Sequence, residues 1–119
     1  MVRYRVLVSG RVQGVFFRDT CRRMAVENGV SGWVRNLPDG RVEAVFEGKP
    51  DDVQRLVDWA RHGPRHAAVT DVWVRAEQPE GLDTFDITLL RADQMLHGVA
   101  TGQVDDAGQR EQLRGRPRR

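Results

Sequence analysis

The 119-residue chain reads as an α+β protein, a ferredoxin-like βαββαβ sandwich whose antiparallel sheet carries two helices on one face. Three observations predict it. Short runs alternate apolar and polar residues with period two, as half-buried strands do. Two other runs repeat apolar residues at helical spacing. Glycine or proline punctuates the breaks between them.

Taken in order, Val2, Tyr4, Val6 and Val8 alternate with Arg3, Arg5, Leu7 and Ser9, which predicts the first strand. From Phe17 to Asn28, the positions Phe17, Cys21, Met24 and Ala25 share one helical face, and Gly29 supplies the stop. VSGWVRNL, residues 30–37, reads as a second strand, and RVEAVFEG, residues 41–48, as a third with Val42, Ala44 and Phe46 on one side. Pro38 and Gly40 mark the turn between them, since proline fixes φ and glycine admits positive φ. Pro50 suits a first helical turn and Asp51 and Asp52 complement its dipole; Val53, Leu56, Val57 and Ala60 then form a stripe that Gly63 and Pro64 end. VTDVWVRAE, residues 69–77, predicts a fourth strand, and FDITL, residues 85–89, closes the sheet after a loop. From Arg91 the periodicity dissolves. Residues 1–90 are therefore expected to form one domain and residues 91–119 a disordered tail.

The charge balance narrows the function. Residues 1–90 hold 13 basic and 13 acidic side chains, whereas residues 91–119 hold 6 and 4, so the basic excess sits in the tail. The main body has no basic imbalance of the kind nucleic-acid binding uses, and no nucleic-acid partner is expected. No apolar run approaches the ~20 residues of a membrane span, and arginines interrupt the start where a signal peptide would be apolar. One cysteine permits no internal disulfide. The expectation is a cytoplasmic monomer without a membrane partner.

One stretch carries more than structure. GRVQGVFFR, Gly10 to Arg18, joins the end of the first strand to the start of the first helix. The first N–H groups of a helix lack intrahelical partners and lie at the positive end of its dipole. Gly10 and Gly14 let the backbone curl so that successive N–H groups point inward. Arg18 can close that cup with a permanent cation whose planar fork grips two phosphoryl oxygens. Taken alone, the residues fit a phosphate-like anion site and, equally, a pair of turn glycines beside a surface arginine. The P-loop pattern GxxxxGK[ST] and the dinucleotide fingerprint are both unmet.

Together with GWVRNLPDGRVEAVFEG, Gly32 to Gly48, this stretch resembles the two signature motifs of the acylphosphatase family, over about residues 3–90. The resemblance implies a small hydrolase, working without metal or other cofactor, that splits acyl phosphates into carboxylate and phosphate. It places the family's catalytic arginine and asparagine on Arg18 and Asn36. On that basis the N–H groups of Gln13, Gly14, Val15, Phe16, Phe17 and Arg18 hold the phosphoryl group, with the Arg18 side chain. Asn36 orients the attacking water.

Other residues have plainer readings. Trp33, Trp59 and Trp73 read as core or sheet-face fillers, with Trp33 a candidate to shape the acyl side. Cys21 reads as a small buried hydrophobe and Asp19 as a favourable first-turn acid. Arg11 and Arg35 read as solvated surface cations. His62 and His66 have metal spacing, but Gly63 and Pro64 interrupt the helix between them, and no metal site is expected. Two rivals share the pattern. An RNA-recognition domain has the same element order but needs aromatics on its third strand, where only Phe46 stands, facing inward. A phosphate-sensing domain would keep the cup and lack turnover.

Overall fold

The computed structural model describes residues 1–89 and 109–112. The strands are β1 (Val2–Arg11), β2 (Ser31–Asn36), β3 (Val42–Gly48), β4 (Ala68–Glu77), β5 (Phe85–Ile87) and β6 (Gln109–Gln112); the helices are α1 (Phe17–Glu27) and α2 (Pro50–Ala60). Both helices start where the sequence places them. β5 stops two residues before the expected Leu89.

A single sheet runs in the order β5-β2-β3-β1-β4-β6. β1 is antiparallel to both β3 and β4, and β2 is antiparallel to β3. The expectation of a wholly antiparallel sheet is corrected at one edge, because β5 runs parallel to β2, with Gly32 opposite Phe85 and Val34 opposite Ile87. The route of the chain explains it. β4 finishes at the end of the sheet where β2 begins, and residues 78–84 cross to the far edge, so β5 sets out alongside β2 in the same direction. β6 pairs antiparallel with β4, from Asp71 opposite Gln112 to Val74 opposite Gln109. It falls within the stretch expected to be a disordered tail; the rest of that stretch lies outside the described residues.

Two helices cover one face. Val6, Val8, Val34, Ala44 and Phe46 of the sheet pack with Cys21, Ala25, Val53 and Leu56 of the helices, all buried. Each full-sized aliphatic side chain removed from water contributes about 1.5–3 kcal/mol, and this layer fixes the position of α1.

The opposite face is polar and yet largely buried. Arg3 stands opposite both Glu47 and Glu77 and donates to them at 2.7 and 2.9 Å. Arg5 bridges Glu77 and Glu43 at 2.6 and 2.5 Å, and Arg35 donates to Glu43 at 2.8 Å while lying 4.6 Å from the Trp33 ring centroid. Arg35, expected to be solvated, is only 5 % exposed because Glu43 and the Trp33 ring enclose it. The crossing segment is pinned here too: the N–H groups of Glu80, Gly81 and Leu82 donate to the Glu47 carboxylate at 2.8, 3.2 and 3.0 Å. Burial alone would raise the Glu47 carboxyl, but those amides and Arg3 hold it below its usual range. Glu77 is likewise pushed up by burial and pulled down further by Arg5, Arg75 and Arg3, to about 2.

Candidate active site

β1 ends at Arg11 and α1 begins at Phe17, so residues 12–16 link a strand's carboxyl end to a helix N-terminus. Buried Val12 and Phe17 anchor the link at either side, the Phe17 ring lying 4.9 Å from that of Trp59. Between the anchors the backbone passes twice through left-handed conformations, at Gly14 (φ 74°) and Phe16 (φ 63°). A Cβ on Gly14 would meet nothing within 4 Å, so glycine serves conformation alone there. Phe16 bears positive φ with a side chain attached, at roughly 1–2 kcal/mol, and its ring is 74 % exposed. Residues of alternating hand turn successive N–H groups into one concavity.

Gly10 has a different purpose from the one expected. It remains within β1, at an irregularity in the pairing with β4, and a Cβ there would fall 2.1 Å from the Ala68 carbonyl oxygen. The close approach of β4 requires this glycine, not the curl of the loop.

Phe16 is the N-cap of α1, and no side chain caps the helix. The first-turn N–H groups are thus left for a ligand, at the positive end of the dipole. Arg18 stands in that first turn, half-buried, and among the described residues it enters no ion pair. Asn36 is the last residue of β2, opposite Val42 in β3, on the helix-covered face and close to the start of α1. Arg18 and Asn36 share one cavity of about 340 Å³, lined also by Gln13, Gly14, Phe16 and Phe17. That volume lies at the small end of the ~300–1,000 Å³ typical of small-molecule sites.

Val15, the remaining residue of the expected cradle, does not line the cavity; its side chain packs against the core. The Gln13 side chain also has an unforeseen partner: its Nε2 donates to the carbonyl oxygens of Leu37 and Arg41, both at 2.9 Å. Val12, Asp19 and Ile87 complete the lining. Ile87 escaped sequence reading because only the parallel pairing of β5 with β2 brings it there. Trp33 is not among the lining residues; its ring lies under Arg5 and Arg35 on the opposite face of the sheet.

Asn36 carries the most informative atom. Its Oδ1 is buried and accepts no hydrogen bond among the described residues. A buried acceptor in that state normally costs about 1–3 kcal/mol, and a water O–H can satisfy it. The site therefore combines the uncapped first-turn N–H groups of α1, a guanidinium without an ion-pair partner among the described residues, and a buried amide acceptor without one. Cys21 takes no part in it: the side chain lies in the core, where burial pushes its thiol up and keeps it protonated.

The acylphosphatase family model matches residues 4–87. An acylphosphatase of Gloeobacter violaceus is 59 % identical over 86 residues, which make up 72 % of this chain and 92 % of that protein. One from Rubrobacter xylanophilus is 63 % identical over 79 residues, 66 % of this chain and 72 % of its own. The crystal structure of acylphosphatase from Bacillus subtilis matches with a TM-score of 0.72 at 39 % identity, covering 74 % of this chain and 99 % of that one.

Proposed function

We propose specific roles for the residues of this chain, which belongs to the acylphosphatase family and hydrolyses acyl phosphates to carboxylate and phosphate. The N–H groups of residues 13–18 and the Arg18 guanidinium hold the phosphoryl oxygens. Asn36 accepts a hydrogen bond from a water molecule and sets its oxygen in line with phosphorus. The water oxygen attacks phosphorus as the bond from phosphorus to the carboxylate oxygen breaks. The carboxylate leaves as its own anion, and the water proton passes to the phosphate product or to solvent.

An acyl phosphate brings a good leaving group, so positioning and charge stabilisation make up the catalytic burden. Arg18 and the amide dipoles supply that charge without a metal. The catalytic unit is residues 1–90, acting as a cytoplasmic monomer; among the described residues no helix is long and apolar enough to cross a membrane.

One observation carries the assignment: Asn36, whose buried Oδ1 has no partner among the described residues, lines the same cavity as Arg18 at the uncapped start of α1. Benzoyl phosphate hydrolysis, with free phosphate as competitive inhibitor and with a chelator present, tests it. Arg18→Ala is expected to abolish both phosphate binding and turnover. Asn36→Ala should keep phosphate binding and lower kcat by about 10²–10³, the usual loss for one preorganised polar group. Wild-type turnover by Asn36→Ala would overturn its role, and loss of activity to the chelator would overturn metal independence.

A further inference from the structure

We propose that Gln13 is the positioning residue for Asn36, acting through its side chain rather than only through its main-chain N–H. The inference rests on the water-orienting role given to Asn36. Leu37 follows Asn36 directly, and Arg41 precedes Val42, the residue paired with Asn36 across the β2–β3 hairpin. The Gln13 amide donates to the carbonyls of both, at 2.9 Å each. It thus grips the hairpin at the two positions just beyond the Asn36–Val42 pair. The turn is closed from within by Leu37 N–H donating to the Arg41 oxygen at 2.8 Å and Gly40 N–H donating to the Leu37 oxygen at 3.1 Å. Those bonds set the hairpin's own shape and tie it to nothing else.

Gln13 ties it to the anion loop. Its main chain lies in the segment proposed above to hold the anion, while its side chain holds the strand end that carries Asn36. Among the described residues, no other side-chain hydrogen bond joins residues 12–18 to residues 36–41. The two halves of the site come from segments some eighteen or more positions apart, and in-line attack demands their relative placement to within a fraction of an ångström. A primary amide suits the task because it offers two N–H donors to two carbonyl oxygens. A carboxylate of the same shape would set acceptor against acceptor.

The test is a double-mutant cycle on benzoyl phosphate hydrolysis, with phosphate inhibition and thermal unfolding followed in parallel. Gln13→Leu removes the donors at similar size. It is expected to lower kcat by roughly 10–100-fold, with the phosphate inhibition constant changed less than about threefold. In the Asn36→Ala background the same substitution should lower kcat by less than about twofold, because the group it positions is already gone. Gln13→Glu, which keeps the shape, should resemble Gln13→Leu. Gln13→Asn, which withdraws the amide by one methylene, gives the same comparison if the leucine variant does not fold. Equal losses in both backgrounds, or an effect mainly on phosphate binding, would overturn the proposal. A wild-type rate for Asn36→Ala alone would remove its premise, a result distinct from additivity.

Discussion

Glu47→Ala isolates the buried polar face of the sheet. The Glu47 side chain is fully buried and accepts hydrogen bonds from Arg3 and from three main-chain N–H groups of residues 80–82. Truncation leaves Arg3, 3 % exposed, without one of its partners. Removing one member of a buried pair typically costs about 3–5 kcal/mol. Arg3 keeps Glu77 at 2.9 Å, which pulls its own contribution toward the lower value. The three freed amides act the other way, though segment 80–82 can turn them to water. We therefore expect a loss of about 3–4 kcal/mol in urea unfolding, a large part of the 5–15 kcal/mol that holds most domains folded. For a domain of this size that corresponds to a fall in Tm of roughly 12–30 °C. Glu47→Gln, which keeps one acceptor oxygen, should lose about half as much. A loss below about 1 kcal/mol for Glu47→Ala would mean that the pair behaves as a solvated surface pair, and the reasoning would fail.

Other consequences follow from the same structure. Gly10→Ala drives a Cβ to 2.1 Å from the Ala68 oxygen at φ 117°, and should destabilise by about 2–4 kcal/mol in denaturant titration. The Glu77 carboxyl sits at about 2, below its ordinary value, so its stabilisation is complete above about pH 4.5 and drains away as pH falls toward 2. After solvent screening it amounts to about 1 kcal/mol, and unfolding midpoints of Glu77→Gln should fall less steeply than wild type over that window; parallel curves would contradict this. Cys21→Ala should retain turnover while losing about 1 kcal/mol of stability, and a bulky thiol reagent should leave the native enzyme active.

Much of this was legible in the sequence, for local reasons. Both helices announce their faces by spacing and their ends by Pro50, Gly29 and Gly63, and the β2–β3 turn announces itself through Pro38 and Gly40. That Arg18 and Asn36 meet in one cavity follows the expectation raised by two contiguous motifs, one around each residue. What the sequence hides depends on pairing between distant segments. Arg3, Arg5, Glu43 and Glu47 occupy the polar phase of their strands and read as solvent-facing. Only the register that sets Arg3 against Glu47 and Glu77 turns them into a buried layer. The parallel edge is hidden for the same reason, since it depends on where residues 78–84 cross, and with it goes the approach of Ile87 to the cavity. Gln13 was recognised as part of the loop, but the direction of its side chain is settled by the hairpin brought against it. Gly10 and Gly14 look alike in the sequence, yet one answers to a neighbouring strand and the other to the curve of the loop.

The most direct measurement is a crystal structure of the protein with phosphate or sulfate bound. The anion is expected in the cavity at the start of α1, accepting N–H donors of residues 13–18 and the Arg18 guanidinium at about 2.7–3.1 Å, with a water molecule on Asn36 Oδ1 facing its central atom. An anion bound elsewhere, with Arg18 turned to solvent and Asn36 Oδ1 satisfied by the protein itself, would contradict the mechanism.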